Sequence, residues 1–106
     1  MGADWLEAKG LRILERNFRC KVGEIDIIGE MNDSLVFVEV RVRSSDSRGL
    51  PAESVNYKKQ QRLRRIATWY ISQKKKAEEA CRFDVLGILY DRHRGVSDIQ
   101  WYQDAF

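Results

Sequence analysis

A chain of 106 residues suits one domain with a single modest core. Hydrophobic content of 43% with a single proline argues against a disordered chain. The absence of any apolar run of about 18 residues argues against a membrane-spanning helix. Net charge is only +3, but it is unevenly spread: Arg41 to Arg65 holds eight basic residues and two acidic ones. That middle segment suits a phosphate backbone or another anionic surface. With no signal peptide visible, a cytoplasmic location is expected.

In chain order, Ala3 to Lys9 reads as the end of a helix closed by Gly10 at its C-terminus. It begins almost at residue 1, so further helical sequence is expected upstream, with the first helix truncated. Leu11 to Arg16 is expected as a first strand and Asn17 to Val22 as a polar connection. Gly23–Gly29 and Leu35–Arg43 are rich in β-branched residues, and Met31-Asn32-Asp33-Ser34 between them is a turn signal. Together they read as a β-hairpin. Ser44 to Ser54, with Gly49 and Pro51, reads as a loop long enough to be functional.

The clearest helix follows. Val55, Lys59, Leu63, Ile66, Ala67, Tyr70 and Ile71 keep the three-to-four spacing of one face, while Lys58, Arg62, Arg64 and Arg65 mark the opposite one. Lys74-Lys75-Lys76 suits the negative end of the helix dipole, and Glu78-Glu79 dilutes any anion site there. Cys81 to Tyr90 reads as a long strand, Asp91 to Gly95 as a surface turn containing the single His93, and Ser97 to Trp101 as a short last strand. Cys20 and Cys81 have no metal-site spacing and read as buried or half-buried thiols, with a disulfide as the alternative. Trp5, Trp69 and Trp101 suit core packing better than base stacking, and Arg82 and Asp84 suit a structural pair. The sum is an α/β single domain, with a mixed central sheet of about five strands flanked by helices.

The hairpin carries the chemistry. If Asn32-Asp33 is its centre, cross-strand partners sum to 65, placing Asp26 opposite Glu39 and Glu24 opposite Arg41. Facing like charges destabilise a sheet unless a cation lies between them. A divalent ion with oxygen ligands is such a cation. The alternative is a solvated hairpin face with Glu24 and Arg41 as an ordinary ion pair, and a one-residue change of register would separate Asp26 from Glu39. In the first reading, Asp26 and Glu39 hold Mg²⁺ or Mn²⁺ for phosphodiester hydrolysis. Arg41, on the Glu39 face of its strand, stabilises developing charge.

Asp26 followed by Glu39-Val40-Arg41 resembles the Asp…Glu-x-Lys signature of restriction-endonuclease-like nucleases. More of the chain is similar to the YraN family: Trp5-Leu6-Glu7-Ala8-Lys9-Gly10, Gly23-Glu24-Ile25-Asp26, Val36-Phe37-Val38-Glu39-Val40-Arg41, Ser54-Val55, Lys59-Gln60, Cys81-Arg82-Phe83-Asp84-Val85 and Asp104-Ala105-Phe106. That resemblance implies a restriction-endonuclease-like fold akin to archaeal Holliday-junction resolvases. It also implies Asp26 and Glu39 as metal ligands, Glu24 as an accessory acid, and Arg41 in the place of the nuclease lysine. Arginine hydrogen-bonds phosphate but does not release a proton at physiological pH. The family's first helix begins with a Gly-Glu pair upstream of Ala3-Asp4-Trp5-Leu6, so Glu7 does not inherit the role of that glutamate.

The expected function is nucleic-acid binding, with DNA as the partner, by an endonuclease-like protein that acts on branched or structured DNA. Arg43, Lys58, Lys59 and Arg62 are the expected phosphate contacts. Two alternatives stay open. One is a binding module with a degenerate site, and the other is a protein-interaction module, a homodimer included.

Overall fold

The computed structural model describes residues 2–44, 55–74 and 80–106. The expectations for the 45–54 loop and for Lys75, Lys76, Glu78 and Glu79 lie outside them. Within them the chain runs α1 (Gly2–Ala8), β1 (Arg12–Cys20), β2 (Gly23–Met31), β3 (Ser34–Ser44), α2 (Tyr57–Gln73), β4 (Ala80–Asp91) and β5 (Gly95–Tyr102). The strands form one mixed sheet in the order β1-β2-β3-β4-β5, as the α/β reading requires. All neighbours are antiparallel except β3 and β4, whose parallel pairing needs the crossover that α2 occupies.

Helix α1 ends as its glycine dictates. Gly10 sits at φ +109. Its N–H donates to the Glu7 carbonyl and that of Leu11 to the Leu6 carbonyl, both at 3.0 Å. This is a Schellman closure, and its usual apolar contact is supplied by buried Leu6 and Leu11. Asn56 caps α2, its side chain accepting from the Lys59 N–H at 2.9 Å. The helix therefore starts after Val55, which is buried just ahead of it, and not at Val55.

The hairpin turn is the expected one. Met31 pairs with Ser34, and Asn32 and Asp33 hold φ of 50 and 63, the left-handed pair that suits a twisted two-residue turn. Strand β1 is longer than expected, running through Asn17-Phe18-Arg19 to Cys20 with only Lys21 and Val22 as the connection to β2. A bulge between Ile13 and Glu15 shifts the register, and Asn17, at φ 51, departs from the extended conformation where the expected strand ended.

Residues Leu35 to Val38 are all buried because both faces of β3 are covered. Leu35 and Phe37 join Leu63, Ile66, Ala67 and Tyr70 under α2, while Val36 and Val38 join Ala3 and Leu6 under α1. The tryptophans belong to this packing: Trp5 meets Trp101 edge-on with centroids 6.5 Å apart, and Trp69 leans on Phe18 at 5.9 Å. Neither Cys20 nor Cys81 is in a disulfide; Cys20 is half-buried as expected, whereas Cys81, the second residue of β4, is exposed. Among the described residues no helix is long and apolar enough to cross a membrane.

Gly29 marks the tightest approach in the sheet. A Cβ there would lie 2.7 Å from Leu11 Cγ and 2.9 Å from the Arg12 carbonyl oxygen. Neither a buried leucine nor backbone yields easily, so Gly29→Ala is expected to cost about 1–3 kcal/mol by urea denaturation.

Candidate active site

The β2–β3 ladder keeps the sum-of-65 register from Met31↔Ser34 to Ile27↔Val38 and then stops. Beyond it β2 leaves the regular pleat: Ile25 and Ile28 both pack under α2, while Ile27 packs under α1. Asp26 lies in this departure. Its Oδ2 accepts the Val40 N–H at 2.7 Å, replacing the ladder acceptor that β2 no longer offers. Glu39 follows Leu35 and Phe37 on the α2 face of β3 and is 6% exposed. The Asp26 and Glu39 side chains line the same cleft, near enough for the Asp26 carboxyl to act on that of Glu39.

Helix α2 closes the site from above. Lys59 stands in the apolar stripe of that helix, one turn ahead of buried Leu63, so its stem runs toward the sheet. Its Nζ reaches Glu39 Oε2 at 2.5 Å. Asp26, Glu39, Lys59, Glu24, Arg41 and Arg62 together line a cleft of about 260 Å³ between α2 and the ends of β2 and β3. Asp26 also borders a second hollow of about 270 Å³ on the α1 side, beside Gly2, Arg16 and Asn17.

Six of the expected site residues thus share one cleft. Arg43 and Lys58 do not line it; Lys58 is exposed on the outer side of α2. Two pairings differ from expectation. Glu24 does not face Arg41 across the hairpin, because the β2–β3 ladder ends before that pair. It bonds Arg19 of β1, with Nε–Oε2 at 3.0 Å. Lys59 was expected on phosphate, yet it is paired with Glu39. Its place in an otherwise apolar stripe was the available signal, since a lysine there must find a buried anion or turn outward. Arg64, on the basic face, lies over Phe83 at 5.0 Å and Phe106 at 5.9 Å.

Burial is the main reason that Glu39 holds its proton above its ordinary value of 4.5; the Asp26 carboxyl adds to the effect and Lys59 opposes it. The folded state therefore binds this proton more tightly than the unfolded chain does. Glu39's contribution is fully present below pH 4.5 and is lost as pH rises toward its raised folded value. Measured without divalent ions, the stability of the parent protein relative to Glu39→Gln is expected to fall across that window in paired urea titrations.

Asp84, by contrast, is a structural acid. Fully buried on β4, it takes Arg82 Nε at 3.0 Å and the Asp104 N–H at 2.9 Å on Oδ1, with Arg82 Nη2 at 2.9 Å and Trp101 Nε1 at 2.7 Å on Oδ2. This network ties the C-terminal segment to the sheet, a role the simple Arg82–Asp84 pair did not foretell.

Residues 1–88 match the model of "Uncharacterised protein family UPF0102". A UPF0102 protein of Moorella thermoacetica is 46% identical over 101 residues, covering 95% of this chain and 84% of the relative. One of Pelotomaculum thermopropionicum is 44% identical over 104 residues, covering 98% and 87%. One of Clostridium acetobutylicum is 41% identical over 102 residues, covering 96% and 84%. The chain belongs to family UPF0102, which bears out its resemblance to the YraN proteins.

Proposed function

We propose that this protein binds nucleic acid and that the cleft under α2 is a Mg²⁺- or Mn²⁺-dependent phosphodiester-cleaving site for branched or structured DNA. One observation carries the reading: Asp26 and Glu39, from adjacent strands, converge in a cleft that also holds Arg41, Lys59 and Arg62. Asp26 and Glu39 would hold the ion. Among the described residues no three His, Cys, Asp or Glu side chains group as metal ligands. The two carboxylates would therefore hold a hard ion with waters completing its shell. When bound, such an ion supplies Lewis-acid polarisation of a phosphoryl oxygen.

The protein's own groups do the rest. Asp26, anchored on the Val40 N–H, is held in one orientation. Arg41 and Arg62 present fixed positive charge and hydrogen-bond donors to the phosphate as negative charge builds on it. Exposed Lys58 and half-buried Arg43 lie outside the cleft and would contact flanking phosphates. The test is incubation with forked, nicked and four-way DNA in Mn²⁺, where cleavage of at least one is expected and intact substrates throughout would overturn the nuclease reading. Arg41 in the lysine position favours a second reading, a binding module without turnover. It predicts affinity that falls steeply with salt and no product.

A further inference from the structure

The cleft already contains a cation. Lys59 Nζ sits 2.5 Å from Glu39 Oε2, and the Glu39 side chain is 8% exposed against 30% for Lys59. Lining the cleft are three acids (Glu24, Asp26, Glu39) and three bases (Arg41, Lys59, Arg62), so its formal charges cancel. A balanced cleft has little net pull on a phosphodiester. Glu39 cannot direct the same oxygen to a divalent ion while an ammonium occupies it. The lysine stem is flexible and a third of it is already open to solvent.

We infer, resting on the proposed metal site, that Lys59 is the resident counter-ion of the Asp26–Glu39 pair: it yields to a divalent cation and, once displaced, becomes a phosphate-binding arm. Two consequences follow from charge alone. Divalent-ion binding must compete with an internal ammonium, which weakens it. Uptake of a divalent ion also adds two positive charges to a balanced cleft and frees a third, so metal and phosphodiester strengthen each other's binding. By linkage the strengthening is equal in both directions.

The experiment uses the full chain and reads binding, not cleavage. Mn²⁺ affinity is measured from the electron paramagnetic resonance of free Mn²⁺ for the parent, Lys59→Met and Lys59→Gln. Affinity for a fluorescent four-way DNA junction is then measured with and without Ca²⁺. The lysine variants are expected to bind Mn²⁺ about tenfold more tightly, within the usual range of coupling between sites. The parent's gain in junction affinity on adding Ca²⁺ is expected to shrink in both variants. In the parent itself, the Lys59 Cε resonance is expected to move to that of a solvated lysine as Mg²⁺ is added, a readout that needs no substitution. Unchanged or weaker Mn²⁺ binding by the variants, or an undiminished Ca²⁺ response, overturns the inference while leaving the metal site standing. Absence of Mn²⁺ binding in the parent and both variants overturns the metal site as well.

Discussion

Asp26→Asn is expected to lower Mn²⁺-dependent cleavage of junction DNA by on the order of 10²–10³-fold while leaving the fold intact. The substitution separates the two jobs of this side chain. Asparagine keeps a carbonyl oxygen that can accept the Val40 N–H, now bonded at 2.7 Å. What it loses is the negative charge beside Glu39, and with it half of the proposed ion-holding pair. Such a rate loss corresponds to roughly 3–4 kcal/mol of transition-state stabilisation. Asp26→Ala would remove the Val40 bond too, adding about 1 kcal/mol of instability, which makes it the poorer probe. A thermal melt of the asparagine variant close to that of the parent, together with the rate loss, is the expected combination. Unchanged cleavage by Asp26→Asn would assign the reaction to some other part of the molecule.

Asp84→Ala is expected to produce the largest loss of stability, about 3–5 kcal/mol in urea denaturation. Two donors meet each of its oxygens, so removal strands the Arg82 guanidinium, the Trp101 indole N–H and the Asp104 N–H together. Domains of this size have roughly 5–15 kcal/mol in all, so one residue controls a large share. Asp84→Asn is expected to be nearly as damaging. Whichever way the amide is turned, its NH₂ group faces two donors in place of two lone pairs. A loss below about 1 kcal/mol for both variants would mean that the network relaxes around the gap.

The hairpin was readable because its signals are local. Asn32 and Asp33 tolerate the left-handed conformation the turn needs, and a two-residue turn centred on them sets the register. That register holds as far as Ile27↔Val38; Asp26 and Glu39 lie one pair beyond it, where β2 has left the ladder and Asp26 takes the Val40 N–H instead of facing Glu39 in the sheet. Helix α2 was readable for a similar reason, its buried residues repeating at helical spacing. The departures come from contacts between elements. Glu24 follows β2 away from β3 toward Arg19, a choice made by the end of one ladder and the continuation of another. Lys59 meets Glu39 only because α2 crosses back over β3, and no pattern within the helix names its partner. The Asp84 network gathers residues from β4, β5 and the C-terminal segment, which lie 17 and 20 positions apart in the chain. Asn17, at φ 51, stands where the expected first strand ended, and four residues of strand, Asn17 to Cys20, went unread.

The most direct measurement is anomalous diffraction from crystals of the protein soaked in Mn²⁺, collected for the parent and for Asp26→Asn. One peak bridging the Asp26 and Glu39 carboxylates in the parent, and absent from the variant, is the predicted result. A parent cleft with no peak there, Glu39 still held by Lys59 at saturating Mn²⁺, would contradict it.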